Sequence, residues 1–271
     1  GAGIGGGGGS GGGNGGTIAI QGSAKVESAV SASGAGVGGG SGKDGGSITI
    51  GEDADVTAEG CSGIGNGDKG SGGTVAISGR AVVNAVGVGE GAGVGGRGSK
   101  ITISGSARVT ARGSSAYFSS GAGVGGTGPF GATVTIDSNA LVFATGAGDA
   151  AHIGSGGGGG DPVKSTVEKK GGVIFEDKDG QVHGDVTLPG DLTLPDGYTL
   201  TIPDGATLTN GGTIHVENGG AITGGGAIEN QGAGQLTGGG NVEVSLTGDS
   251  LAYGGLTVKT TGGQSAAYAP G

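Results

Sequence analysis

One spacing recurs five times in the first half of the chain and limits what the chain can form. A short β-branched run ends in Ile, and a Val follows six residues later. These positions are Ile20, Ile50, Ile77, Ile103 and Ile136, and Val26, Val56, Val83, Val109 and Val142. A fixed period of about 20–50 residues indicates a repeat fold. We therefore predict that these side chains form stacked rows in the core of a β-solenoid.

A glycine-flanked unit, G-x-G-[I/V]-G, completes each repeat, although the copy at Ile64 keeps only G-I-G and the copy at Ile153 keeps only I-G. The units centre on Ile4, Val37, Ile64, Val94, Val124 and Ile153, at intervals of 27 to 33 residues. We therefore predict that each repeat of about 30 residues forms one coil with three short strands, which stack in parallel on the strands of the next coil. Parallel crossover connections are right-handed in nearly all cases. The predicted fold is all-β, a right-handed parallel β-helix, with glycines at positions of positive φ or close backbone approach.

The period shortens in the second half of the chain, to about 22 residues per coil. Inward positions are predicted at steps of eight or six residues: Leu192, Leu200, Leu208, Ile214, Ile222, Ile228, Leu236 and Val242. The predicted organisation is an array over 1–160, a junction over 161–182, a tighter array over 183–248, and a terminal strand or next domain over 249–271. The junction should contain a hairpin with a K-D-G turn. Because Gly1 falls inside a G-A-G-I-G unit, we expect a fragment or a processed product.

Composition and charge exclude several functions. The net charge is −10, and the aromatic residues are four Tyr and four Phe. Nucleic-acid binding is not expected, because the chain has too few basic side chains to neutralise phosphates and too few aromatic side chains to stack on bases. The sequence has no recognisable signal peptide, transmembrane segment or lipidation motif, so membrane insertion is not expected. Cys61 is the single cysteine, and we expect it to be a partly buried residue in a turn.

Catalytic and metal-binding patterns are sparse. Glycoside hydrolysis uses neighbouring carboxylates, and the clustered acids are Glu52, Asp53 and Asp55, and Glu176, Asp177 and Asp179. Both groups are predicted to be solvated turns, without the spacing of a Ca²⁺ loop. The histidines His152, His183 and His215 lack metal-ligand spacing. We predict no catalytic residue and no cofactor. Weak Ca²⁺ binding, and a polysaccharide lyase or hydrolase of the β-helix type, are the alternatives.

One local group of aromatic residues is a candidate ligand patch: Tyr117, Phe118 and Phe130. Neighbouring coils bring their loops together, so the group forms either an exposed binding patch or a hydrophobic plug on the flank of the coil. Phe143 replaces the polar outward residues of earlier repeats, so that face is expected to be covered. An ice-binding surface is not expected, because outward positions mix Lys, Asp, Val, Arg and Leu.

The two repeat patterns, G-A-G-I-G-G-G…[T/S]-I-x-I-x-G-x-A-x-V-x-A and V-T-L-P-G-D-L-T-L-P-D-G-Y-T-L, resemble segments of large secreted surface proteins of anaerobic Gram-positive bacteria. The resemblance spans Gly1 to about Val244 and implies an extracellular β-helix with an adhesin-like or carbohydrate-binding role. Its expected partners are a glycan or a protein on a host or neighbouring surface. Self-association through the ends of the solenoid is a further expectation.

Overall fold

The computed structural model describes residues 1–7, 13–116, 119–158 and 163–248, with the strands Tyr253–Gly254, Thr257–Lys259 and Ser265–Ala267. Within these ranges all regular elements are β-strands, most of them in parallel sheets, which confirms the all-β prediction. A helix long and apolar enough to cross a membrane is absent from the same ranges. The chain divides into unit 1, Gly1–Asp137 with Val142–Lys169, and unit 2, Ser138–Leu141 with Lys170–Gly271.

Unit 1 contains strands of three sheets, and each of its first five repeats contributes one strand to each sheet. The first sheet holds Ile4–Gly5, Val37–Gly38, Ile64–Gly65, Val94–Gly95, Val124–Gly125 and Ile153–Gly154. The second holds Thr17–Ile20, Ser47–Ile50, Thr74–Ile77, Lys100–Ile103, Thr133–Ile136 and Thr166–Lys169. The third sheet has 14 strands, and those that come from the repeats of unit 1 are Lys25–Val30, Asp55–Gly60, Val82–Gly87, Arg108–Arg112 and Leu141–Thr145. A short antiparallel pair, Ser115–Ala116 with Ser119–Ser120, lies outside these sheets.

The parallel register of the second sheet places the five Ile side chains in one row. Ile77 pairs with Ile50 on one side and with Ile103 on the other. The row is buried throughout: Ile20 is 7 % exposed and each of the other four is 0 % exposed. In the third sheet Val56 pairs with Val26 and Val83, and Val83 pairs with Val109. Val56, Val83, Val109 and Val142 are 0–1 % exposed, whereas Val26, predicted to be a core residue, is only half-buried in the first repeat. β-branched side chains suit pleated, buried surfaces, so the rows from the second repeat onwards and the buried alanines between them form the core.

The glycine after each central Ile or Val of the first sheet has positive φ, between 119° and 148° in all six copies. This conformation confirms the predicted need for glycine, since L side chains rarely adopt it. Close packing is a second reason. A Cβ added to Gly65 would lie 2.0 Å from the carbonyl oxygen of Gly95 in the next repeat. Successive repeats therefore stack directly, backbone on backbone, along this row.

The segment expected to be a junction contains a further strand of unit 1. Thr166–Lys169 pairs in parallel with Thr133–Ile136 and extends the second sheet. The predicted hairpin follows in unit 2, where Gly172–Glu176 pairs antiparallel with Asp179–His183. Its turn is Asp177–Lys178, one residue earlier than predicted, and Asp177 has φ of 58°. Gly180 lies in the second strand of the hairpin and not in its turn. Glycine is needed there for space, because an added Cβ would lie 2.3 Å from the Phe175 ring.

Unit 2 repeats with the shorter period. Its remaining strands are Val186–Thr187, Leu192–Leu194, Thr199–Thr201, Thr207–Asn210, Thr213–Val216, Ala221–Asn230, Gln235–Gly238, Asn241–Gly248 and the three after residue 252. Leu192 pairs with Ile214, and Ile214 with Leu236. All eight predicted inward residues of this unit are 0–1 % exposed. Beside them the Nδ2 of Asn210 donates to the Oδ1 of Asn230 at 2.9 Å, so one polar pair stacks within the core.

Candidate functional site

A cleft opens on unit 1 among the loops that follow the strands of the first sheet. The loop over 96–99 has four residues, whereas the equivalent loops over 66–73 and 126–132 have eight and seven. Parallel stacking places equivalent loops side by side, so the short loop leaves a depression between its longer neighbours. The cleft has a volume of about 230 Å³. Three successive repeats line it, through 61–62, 67–70 and 127–130 with Glu90, Arg97 and Ser119.

Arg97 and Phe130 form the most specific contact in the cleft. The Cζ of Arg97 lies 3.6 Å from the centroid of the Phe130 ring, so the guanidinium covers one face of the ring. Such cation–π contacts contribute about 0.5–1 kcal/mol at exposed sites. Among the residues that the structure describes, no carboxylate forms an ion pair with Arg97. The stacked guanidinium therefore keeps hydrogen-bonding capacity for a ligand.

A buried amide holds the loops of the cleft in place. Asn66 is 1 % exposed, and its Oδ1 accepts a hydrogen bond from Gly45 N at 2.8 Å. Its Nδ2 donates to the carbonyl oxygen of Arg97 at 2.9 Å and to the Oγ of Ser99 at 3.3 Å. Asn66 thus joins three consecutive loops. Since buried polar groups are costly to leave unpaired, this network fixes the backbone that carries Arg97.

Cys61 lies at the edge of the cleft and is half-buried. Burial raises the pKa of its thiol to about 12, and the nearby carboxylates of Asp68 and Glu90 add to the rise. Only the thiolate is a strong nucleophile. At neutral pH the cleft therefore presents a thiol that does not act as a nucleophile.

Cys61 should react slowly with iodoacetamide in the native protein. A pKa about three units above the usual value lowers the thiolate population at pH 8 by roughly a thousandfold. We expect native alkylation at pH 8 to be at least tenfold slower than alkylation in denaturant, followed by mass spectrometry. The stability that this thiol contributes is complete below pH 9 and declines as the pH rises towards 12. Equal rates in the native and denatured protein would show that Cys61 is not desolvated.

The structure brings together only part of the predicted ligand patch. Phe130 lies in the cleft and is half-buried, with Arg97 over its ring, whereas Tyr117 and Phe118 lie outside the described residues. Sequence reasoning did not identify Arg97, Asn66 or Glu90 as site residues. One signal was present in the sequence. The step from Val94, in the first sheet, to Ile101, in the second, is seven residues and is the shortest of the equivalent steps, which indicates a short loop.

The other candidate chemical groups make structural contacts. Arg80 forms two hydrogen bonds of 2.7 Å with the carboxylate of Asp53. The Oε2 of Glu52 accepts from Gly22 N at 2.7 Å. The Nδ1 of His152 accepts from Gly146 N at 3.0 Å, and the exposed His215 contacts the Oγ1 of Thr237 at 3.0 Å. Over the part of the chain that the structure covers, no three His, Cys, Asp or Glu side chains are grouped to hold a metal ion.

Asp149 shows how acids fix loops in this unit. Its Oδ1 accepts from the Oγ of Ser120 at 2.6 Å, and its Oδ2 accepts from Gly158 N at 2.9 Å. The hydrogen bond from Ser120 is the main reason that the pKa of Asp149 lies below its usual value. This carboxylate therefore connects neighbouring loops, and both of its oxygens already accept hydrogen bonds within the protein.

Comparisons with known proteins do not add a family. No protein-family model matches the chain, and no curated protein or solved structure matches it at a significant level.

Proposed function

We propose that unit 1 is a right-handed parallel β-helix in which each repeat is one coil. Two observations support the proposal. Each of the first five repeats gives one strand to each of three sheets, with equivalent residues paired in parallel. Strands of different sheets that follow one another in the chain also contact one another, as Ile64–Gly65 does with Asp55–Gly60 and Thr74–Ile77. A chain that returns to its starting sheet one strand further along follows a helical path, and the right hand is the rule for such crossovers.

We propose further that the protein is a non-enzymatic, extracellular binding surface for glycans. The observation that carries this proposal is the loop cleft, whose lining contains Phe130 with Arg97 over its ring and the carboxylates of Asp68 and Glu90. Aromatic rings and a few polar groups are the usual components of small-ligand sites. The resemblance of the repeats to secreted surface proteins supports the extracellular setting. The regular rows serve as the scaffold that holds the loops.

A second candidate, polysaccharide hydrolysis, is favoured by one observation. Asp68 and Glu90 line the same cleft, and glycosidases use two carboxyl groups on either side of the scissile bond. Against this role, neither carboxylate is enclosed: Asp68 is exposed and Glu90 is half-buried.

A glycan-binding screen tests the proposal. The purified chain is applied to a glycan array and to immobilised plant, bacterial and host polysaccharides, and the same polymers are incubated with it and assayed for new reducing ends and unsaturated products. We expect retention on at least one polysaccharide, without product release. The Phe130→Ala variant should lose most of the retention, whereas His215→Ala, in unit 2, should keep it. Product release abolished by Asp68→Asn or Glu90→Gln would overturn the non-enzymatic role, and absence of retention on every glycan would overturn glycan binding.

A further inference from the structure

We infer that the cleft on unit 1 binds the carboxylate of an acidic sugar, with Arg97 as the residue that selects it. This inference rests on the proposed glycan-binding function and specifies its ligand class as uronic acid units of a polysaccharide. It depends on four features of the cleft: the stacked guanidinium, its rigid support, the lining carboxylates and the volume.

The guanidinium of Arg97 is prepared for a carboxylate. A planar guanidinium presents paired N–H donors that match the two oxygens of a carboxylate. The Phe130 ring, 3.6 Å from Cζ, occupies one face of the guanidinium and restricts its rotation. The N–H groups lie in the plane of the guanidinium and are not consumed by stacking on a ring face. Arg80 differs, since its Nε and Nη2 already donate hydrogen bonds to the two carboxylate oxygens of Asp53.

The backbone beneath Arg97 is rigid. The carbonyl oxygen of Arg97 accepts from Asn66 Nδ2 at 2.9 Å and from Gly72 N at 2.8 Å, and Gly98 N donates to Gly131 O at 2.9 Å. These bonds connect the four-residue loop to both of its neighbours. A short loop held on both sides loses little conformational entropy on binding, which favours affinity.

The remaining charges favour a sugar acid over a phosphate. Asp68 and Glu90 line the cleft and are near enough to Cys61 to raise its pKa. Carboxylates accept hydrogen bonds from sugar hydroxyls, whereas they repel a doubly charged phosphate group more strongly than a singly charged carboxylate. Lys69 adds a second cation to the lining. A ligand with one carboxylate and several hydroxyls matches this set of groups.

The size of the cleft limits the ligand to one sugar unit at a time. Its volume of about 230 Å³ is below the ~300–1,000 Å³ of pockets that enclose drug-sized ligands. A single pyranose ring is the appropriate occupant, with neighbouring units of the polymer outside the cleft. Affinity for a monosaccharide should therefore be weak, and polymers should bind through repeated encounters with many equivalent units.

Calorimetric titration tests the inference. The probes are oligomers of galacturonate, glucuronate and mannuronate, each beside its carboxyl-reduced, neutral counterpart. We expect at least one uronate oligomer to bind, its neutral counterpart to bind at least tenfold more weakly, and the interaction to weaken with added salt. Arg97→Gln should weaken uronate binding at least tenfold, and Arg97→Lys should weaken it less, because the charge remains while the planar fork is lost. Arg80→Gln, which removes an exposed arginine elsewhere on unit 1, should leave it unchanged.

The outcomes separate this inference from the proposal beneath it. Equal binding of uronate oligomers and their neutral counterparts, or uronate binding that Arg97→Gln leaves intact, would overturn carboxylate recognition while glycan binding stands. A chain that binds neither the acidic nor the neutral oligomers, nor any glycan on the array, would overturn both. Thermal melts of the Arg97 variants serve as the folding control, since the side chain is exposed and its replacement should leave the melting temperature nearly unchanged.

Discussion

Ile77→Asp is expected to unfold unit 1. Ile77 is 0 % exposed and lies in the middle of its row, between Ile50 and Ile103. An unpaired carboxylate at this position would be buried without a partner, at a cost of more than about 4–5 kcal/mol. Native domains are stable by only ~5–15 kcal/mol, so this single change removes much or all of the stability. Circular dichroism during thermal and urea unfolding measures the effect.

The matched control is Thr74→Asp, on the same strand with its side chain exposed. It introduces the same charge at the surface and should cost no more than about 1 kcal/mol. The Ile77→Asp effect should also be smaller at pH 4 than at pH 8, since a buried Asp has a raised pKa and its neutral form is less costly to bury. Equal melting temperatures for Ile77→Asp and the parent would mean that Ile77 does not face the core.

Gly65→Ala is expected to destabilise unit 1 by about 3–5 kcal/mol. The new Cβ would lie 2.0 Å from the carbonyl oxygen of Gly95, an overlap that only a shift of the backbone can relieve. The φ of 134° at Gly65 adds conformational strain. Because Gly95 belongs to the next repeat, the shift would disturb the stacking of two repeats. Urea-induced unfolding gives the free energy of unfolding of the variant and of the parent.

Gly89→Ala separates the two causes of that loss. Gly89 also has positive φ, 70°, but an added Cβ there meets nothing within 4 Å. Strain without overlap should cost about 1–2 kcal/mol. If both variants lose the same stability, close packing between repeats contributes nothing and conformation alone explains the glycine row.

The rows of unit 1 could be predicted because a repeated chain specifies its own register. When Ile20, Ile50 and Ile77 recur at the same offset from a strand, parallel stacking follows from the repetition. The strand Thr166–Lys169 was not predicted as part of the second sheet, because its sequence departs from the repeat while its backbone does not. It places Lys169 opposite Ile136 and Glu168 opposite Thr135. Backbone hydrogen bonds suffice to add a strand at the last position of a sheet.

The cleft could not be predicted, because it depends on how far three loops project relative to one another. Loop lengths were visible in the sequence, but the stacking of Arg97 on Phe130 joins side chains 33 residues apart through their rotamers. The hydrogen-bond partners of Asn66 lie 21 to 33 residues away in the sequence. Polar contacts between loops carry no periodic signal, whereas apolar rows do.

The distribution of connection lengths has a consequence for how this fold tolerates insertions. The connections between the second and third sheets have four residues in each of the first five repeats, as over 51–54 and 78–81, whereas those after the first sheet range from four to eleven. An added residue in the constant connection would turn the next strand over and expose its row. An added residue in the variable loops would leave the rows in place and reshape only the cleft. Binding preference and folding are therefore separable along the coil, and loop grafting into 96–99 or 126–132 is a route to altered ligand preference on an unchanged scaffold.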